Sequence, residues 1–111
     1  MTAREPWQEG DDWFVNRDPD EKSHYAADIT QELIDRATTA KTVVLNLTGV
    51  VQLEEPQIQV AAKDGVQRTY VVAFLGGTGS APPADWRWEA RVTCANLEEF
   101  DKTTHFKRKD T

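Results

Sequence analysis

Residues 86–94 read WRWEARVTC, and apolar and polar side chains alternate along this stretch. The alternation is typical of a β-strand, because successive side chains of a strand point to opposite faces of its sheet. The apolar face consists of Trp86, Trp88, Ala90, Val92 and Cys94. The stretch therefore predicts a long strand with one face packed on a hydrophobic core.

Shorter runs of the same kind occupy much of the remaining chain. The clearest cover residues 42–48, 57–62 and 69–75, and Asp64-Gly65 between the last two is a strong hairpin signal. Less regular strand-like runs cover residues 13–15, 24–29, 50–53 and 103–108. About seven short strands joined by turns predict an all-β fold, an antiparallel β-sandwich.

One segment has a helical period instead. Asp28 followed by Gln31 resembles a capping box at the start of a helix. The apolar residues that follow at helical spacing are Ile29, Leu33 and Ala37. We expect one short helix over residues 30–37, which crosses between two strands.

The length of 111 residues fits one domain with one core. Residues 1–12 are polar and contain Pro6 and Gly10, which predicts a flexible N-terminal arm, and residues 13–111 form the β-sandwich domain. Trp7 on this arm either folds back on its own domain or anchors the arm to a neighbouring protein.

The net charge of −6 disfavours a nucleic-acid partner, because proteins bind phosphate backbones largely through Lys and Arg. The basic residues 107–109 indicate a solvated tail. No apolar run approaches the roughly 20 residues of a membrane span, and residues 1–13 lack the apolar stretch of a signal peptide. Cys94 is the only cysteine, which excludes an intrachain disulfide and fits a reducing compartment.

Several short patterns invite a chemical interpretation, and each has a structural alternative that we favour. The glycine-rich residues 76–80 lack the Lys-Ser/Thr of a phosphate-binding loop, so they predict a turn. Residues 16–20 form a turn-forming cluster, and the acidic residues 18–21 lack the ligand spacing of a calcium loop. His24 and His105 match no catalytic motif. We therefore predict no enzyme activity, no metal, no cofactor and no small-molecule substrate.

The tryptophans are the candidate partner-binding residues. Trp86 and Trp88 can each remove about 150–250 Å² from water, and both left exposed would form a patch of about 400 Å², near the upper limit for a monomer. Their face is therefore either core or interface. Trp7, Trp13, Trp86 and Trp88 are the residues that we predict to contact a partner.

The order of several short motifs resembles a family of small phage virion proteins. These motifs are Asp18-Pro19-Asp20, Tyr25, Asp28-Ile29-Thr30, Leu33, a Val-rich strand, residues 74–78 and Arg91-Val92-Thr93. The family consists of Ig-like β-sandwich proteins that serve as fibre–tail adaptors or minor tail components, and the resemblance covers residues 13–108. It implies an Ig-like sandwich and a non-catalytic role in the virion. It also implies self-association and tail, neck or fibre proteins as partners, with assembly in the bacterial host cytoplasm.

Two other hypotheses remain open at this point. An Ig-like recognition module would bind a host-surface glycan or protein and would use the tryptophans as a stacking platform. A small hydrolase would need His24 or His105 close to Cys94 or to a carboxylate. The virion adaptor would dock through the unpaired edges of its sheets.

Overall fold

The computed structural model describes residues 3–10 and 12–108. Within these residues the chain forms nine strands and one helix. In chain order they are β1 (Trp7–Glu9), β2 (Asp12–Arg17), β3 (Ser23–Asp28), α1 (Thr30–Asp35), β4 (Ala40–Thr48), β5 (Val50–Gln52), β6 (Gln57–Lys63), β7 (Val66–Gly77), β8 (Arg87–Cys94) and β9 (Glu99–Arg108).

The strands form two sheets that pack face to face. The first sheet has the order β1-β2-β9-β8-β4, and in the second sheet β7 has β3 along one side and both β5 and β6 along the other. Neighbouring strands are antiparallel except β2 and β9, which pair in parallel from Phe14 opposite His105 to Arg17 opposite Arg108. The predicted all-β sandwich with one short helix is confirmed. The strand that sequence reasoning missed is β1, which lies in the segment expected to be an arm.

The core lies between the two sheets, where the alternation of residues 86–94 predicted it. Trp88, Ala90, Val92 and Cys94 on β8 are all buried, and they face Tyr25 and Leu75 of the second sheet within one apolar cluster. Trp86 is also buried, and its Nε1 donates to the Gly49 carbonyl oxygen over 3.2 Å.

The helix α1 connects the two sheets, as expected for a crossover. It follows β3 of the second sheet and precedes β4 of the first, and its Leu33 side chain is buried. The expected capping box does not form as a reciprocal pair. Instead, Asp28 accepts hydrogen bonds from the backbone N–H and the hydroxyl of Thr30 and from Arg68. No helix in the described part of the chain is long and apolar enough to cross a membrane.

The described part of the predicted N-terminal arm lies against both sheets. Arg4 pairs in parallel with Tyr25 of β3, and the strand β1 pairs with residues 12–14 of β2. All three residues of β1 are exposed, so the segment adds to the sheet without adding to the core. Residues 1, 2 and 11 of the predicted arm, and residues 109–111 of the predicted sandwich domain, lie outside the described residues.

Candidate functional site

One side of the sandwich is closed by the N-terminal segment. The Arg4 backbone N–H donates to the His24 carbonyl oxygen, and the Arg4 carbonyl oxygen accepts from the Ala26 N–H, both over 2.8 Å. These bonds cover part of the outer edge of β3. A few residues later β1 covers the outer edge of β2 and leaves only a three-residue strand at that edge. The backbone groups on this side are therefore largely satisfied within the chain.

The opposite side is different: the first sheet ends there in β4 and the second sheet ends in β5 and β6, and each of these strands has one neighbour among the described residues. The nine-residue strand β4 pairs with β8, and the seven-residue strand β6 pairs with β7. The two strands also approach each other across the sandwich. We call this region, made of β4 and β6, the open side. A strand edge of this kind offers unpaired N–H and C=O groups to another strand.

The apolar side chains on the open side are incompletely covered. Val43, Leu45 and Leu47 of β4 face the core but are only half-buried, whereas their partners on β8 are fully buried. Val60 of β6 lies on the same strand face as Ile58 and remains 55% exposed. Val44 points to the outer face of the first sheet and is 67% exposed. The open side is therefore an unpaired edge bordered by aliphatic surface.

The charge of the open side also differs from that of the whole chain. The strands read AKTVVLNLT and QIQVAAK, without Asp or Glu, although 19 of the 111 residues are acidic. Lys41 and Lys63 are the charged side chains in these two strands, and Lys63 forms an ion pair with Glu5 at 3.1 Å. A partner that docks here does not have to approach carboxylates in the edge strands.

The acidic turn on the closed side belongs to a structural network. Arg17 is fully buried, and its guanidinium donates to the Tyr25 hydroxyl over 2.8 Å and to the Glu21 carbonyl oxygen over 2.9 Å. The Tyr25 hydroxyl donates to the Glu21 carboxylate over 2.8 Å, and Arg4 pairs with the same carboxylate at 3.0 Å. The pKa of Tyr25 is raised to about 12 mainly by burial. The hydrogen bond that its hydroxyl donates to Glu21 also raises the pKa, because that bond is lost when the phenol ionises. The hydrogen bonds and the ion pair of Glu21 are therefore contacts that hold the fold together.

Of the groups required by the hydrolase hypothesis, the imidazoles do not reach the Cys94 thiol, whereas His24 lines a cleft together with Glu54 and Glu55. Cys94 points into the core and is fully buried, and burial raises the pKa of its thiol. His24 stacks on Phe74 with 4.3 Å between ring centroids on the outer face of the second sheet. His105 lies beside Phe14 in the first sheet, with 5.6 Å between their ring centroids. The two imidazoles therefore lie on the outer faces of the two sheets, whereas the Cys94 thiol lies between the sheets. In residues 3–10 and 12–108 no three His, Cys, Asp or Glu side chains are grouped as metal ligands.

The four predicted partner-binding tryptophans fall into two classes. Trp88 is 1% exposed and Trp86 is 6% exposed, so both are core residues and the prediction that they contact a partner is corrected. They face inward because the hydrophobic effect outweighs any gain from leaving such large rings in water. Trp13 is half-buried below the Lys102 ammonium, 4.6 Å from its ring. Trp7 is 38% exposed and donates to Glu9. For these two residues partner contact stays a prediction.

Sequence reasoning missed the open side because the pattern of β4 and β6 is that of ordinary sandwich strands. The runs at residues 42–48 and 57–62 give the inward face correctly, but they do not indicate which strands are last in their sheets. Lack of acidic residues in both runs is the signal that could have drawn attention to them. Comparison with known proteins finds no matching family model, no matching curated protein and no matching solved structure.

Proposed function

We propose that the chain is a non-catalytic structural protein of a phage particle, an adaptor or minor component of the tail or neck. In this role it docks tail, neck or fibre proteins and associates with copies of itself. The resemblance of residues 13–108 to small phage virion proteins supports the biological setting. The open side supports the mode of action, since a sandwich with one closed side and one open side can pair with a neighbour in one direction.

The observation that carries the proposal is the free edge of β4. Nine residues of backbone have no neighbour beyond β8 in the described chain, and three aliphatic side chains along the strand are half-buried. Natural proteins usually protect long edges with charges, prolines or bulges. In β4 the protection is limited to Lys41 and one irregularity between Ala40 and Thr42 at the start of the strand. An added strand would satisfy the backbone and cover the aliphatic surface together.

Binding of the purified chain to purified tail, neck and fibre proteins from the same phage tests the proposal. We expect at least one of them to bind, and Val44→Lys or Val60→Lys to weaken that binding at least tenfold. Ile34→Lys is the matched control, because Ile34 on α1 is 64% exposed, close to the value for Val44. If none of these proteins binds at about 10 μM, a weak affinity for a stable assembly, the proposal is wrong. Equal weakening by the control would also contradict it.

A cleft on the outer face of the second sheet favours a second candidate function, the recognition of a glycan. The stacked His24 and Phe74 rings line a cleft of about 250 Å³. The polar residues that also line this cleft are Glu54, Glu55, Gln57 and Gln59. An aromatic surface with amides and carboxylates around it suits a sugar ring. In this candidate function the sugar would stack on the His24 and Phe74 rings and not on the tryptophans. Glycan-array binding that Phe74→Ala abolishes would support this candidate, and a silent array would remove it.

A further inference from the structure

We propose that the cleft beside His24 and Phe74 binds a basic side chain, lysine or arginine, of a partner protein. This inference rests on the proposed function, and it names the chemistry by which the chain recognises a protein that docks on it. The glycan candidate uses the same cleft, and the charge of the ligand distinguishes the two.

The cleft places an aromatic ring beside two carboxylates. His24 stacks on one face of the Phe74 ring, with 4.3 Å between ring centroids and 12° between ring planes, and leaves the other face uncovered by this pair. The Leu53 N–H donates to the Phe74 carbonyl oxygen over 2.9 Å, which holds the segment before β6 against β7. Glu54 and Glu55 follow in the chain and line the cleft together with both rings. Such a site attracts cations, because carboxylates and the face of an aromatic ring are both electrostatically negative.

Elsewhere the chain fills a similar arrangement with its own cation. The Lys102 ammonium lies 4.6 Å from the centroid of the Trp13 ring and 2.7 Å from the Glu32 carboxylate. The Lys107 ammonium lies 4.5 Å from the centroid of the Phe14 ring and also 2.7 Å from a carboxylate of β1. An aromatic ring next to a carboxylate is therefore occupied by a basic side chain at two places in this fold.

In the cleft the ring and the carboxylates are present, but the cation is not supplied by the described part of the chain. Among the described residues, no Lys or Arg lines the cleft. Neither Glu54 nor Glu55 forms an ion pair with any of them. A basic side chain from a partner would find here the two kinds of group that Lys102 and Lys107 find within the chain. It would also neutralise two neighbouring negative charges.

Size and position favour a side chain of a protein as the ligand. The cleft holds about 250 Å³, which is below the ~300–1,000 Å³ of pockets for larger ligands. Gln57 and Gln59 of β6 line it, and β6 is one of the two strands of the open side. A protein that docks on the open side therefore lies next to the cleft, and a long basic side chain can extend into it.

Titration with single amino acids tests the site. The probes are lysine and arginine with an acetylated α-amino group and an amidated carboxyl group. Their neutral counterparts are side-chain-acetylated lysine and citrulline with the same blocking groups. At about pH 8, where an ordinary imidazole is uncharged, we expect at least one basic probe to shift the NMR signals of the Phe74 ring. We expect a dissociation constant of about 10 mM or lower, and binding of its neutral counterpart at least fivefold weaker. No saturable shift at ~50 mM of either basic probe would overturn the inference, as would equal binding of the neutral counterpart.

Removal of the carboxylates separates the cleft from the net charge of the chain. The double variant Glu54→Gln, Glu55→Gln should weaken binding of the basic probe at least fivefold, and both side chains are exposed, so the fold should persist. The matched control is Glu98→Gln, Glu99→Gln, an exposed neighbouring pair where β9 begins, which changes the net charge by the same amount. Equal weakening by the two double variants would overturn the inference, because it would show attraction to the acidic chain as a whole.

Two further measurements distinguish this inference from the proposals on which it bears. Neutral N-acetylglucosamine that binds the cleft more tightly than both basic probes would overturn it in favour of the glycan candidate. A tail, neck or fibre protein that binds the chain while neither basic probe does would also overturn it, and would leave the proposed function supported. A cleft that binds a basic probe in a chain that binds no virion protein would do the reverse.

Discussion

Tyr25 gives the chain a stability that depends on pH in the alkaline range. Its hydroxyl accepts a hydrogen bond from Arg17 and donates one to Glu21, and its ring is fully buried against Phe106 at 5.3 Å. Burial is the main reason that its pKa is raised to about 12. In the unfolded chain the phenol has a pKa of about 10.

The magnitude follows from proton linkage. Because the folded pKa is the higher one, the stabilisation from the protonated phenol is fully present below pH 10 and is lost between about pH 10 and 12. One pKa unit corresponds to about 1.4 kcal/mol, so the whole contribution is about 3 kcal/mol. At pH 9 almost none of it is lost, and at pH 11 the wild-type chain has lost about 1.3 kcal/mol.

The substitution Tyr25→Phe removes this titration together with the two hydrogen bonds. We expect its destabilisation at pH 9 to shrink by about 1.3 kcal/mol at pH 11, because there the wild-type chain has lost stability that the variant never had. Urea unfolding at both pH values, followed by tryptophan fluorescence, measures the difference. Tyr70→Phe is the control and should show a smaller change. Equal destabilisation by Tyr25→Phe at both pH values, within about 0.5 kcal/mol, would refute the assignment of the raised pKa.

Three further predictions concern stability and reactivity. In urea titrations, Trp88→Ala should lower the free energy of unfolding by about 3–5 kcal/mol, and Trp7→Ala should lower it by less than about 1 kcal/mol. Similar values for the two variants would contradict the assigned burial. Gly49→Ala should destabilise the chain more than Gly65→Ala in thermal unfolding. Both glycines have positive φ, so both substitutions strain the backbone. An added Cβ at Gly49 would also lie 2.6 Å from proline and tryptophan ring atoms, whereas one at Gly65 would face open space. The Cys94 thiol, buried and with a raised pKa, should react with a thiol reagent only as fast as the chain unfolds, and rapid labelling of the native chain would contradict this.

Much of the fold could be predicted from local patterns. The alternation in residues 86–94 placed Trp88 and Val92 on the buried face, and Asp64-Gly65 marked the hairpin between β6 and β7, where both residues have positive φ. The helical spacing after Asp28 gave the position of α1 to within two residues at its end. These features depend on neighbours in sequence, so a pattern can report them.

Features that depend on distant segments could not be predicted in this way. Arg17 was assigned to a turn-forming cluster, yet it is the last residue of β2 and its guanidinium lies 5.5 Å from the Phe106 ring centroid in the core. Its burial requires Tyr25 and the Glu21 carbonyl oxygen as hydrogen-bond partners. A charged residue can be buried when such partners surround it, and the local sequence does not reveal them. The parallel pairing of β2 with β9 joins segments about 90 residues apart, so the local sequence does not reveal it either.

Val60 illustrates the step from pattern to function. With Ile58 and Ala62 it alternates with Gln57, Gln59 and Ala61, and in the structure it does lie on the inward face of β6, yet it is 55% exposed. Alternation specifies which face of a strand is apolar, whereas the position of the strand in its sheet decides whether anything covers that face. An apolar face that is formed by the sequence but left uncovered at a free edge is what a docking strand needs. The difference between the predicted and the observed burial of β6, and of Val43 and Leu45 on β4, is therefore the main physical support for an interaction role on the open side.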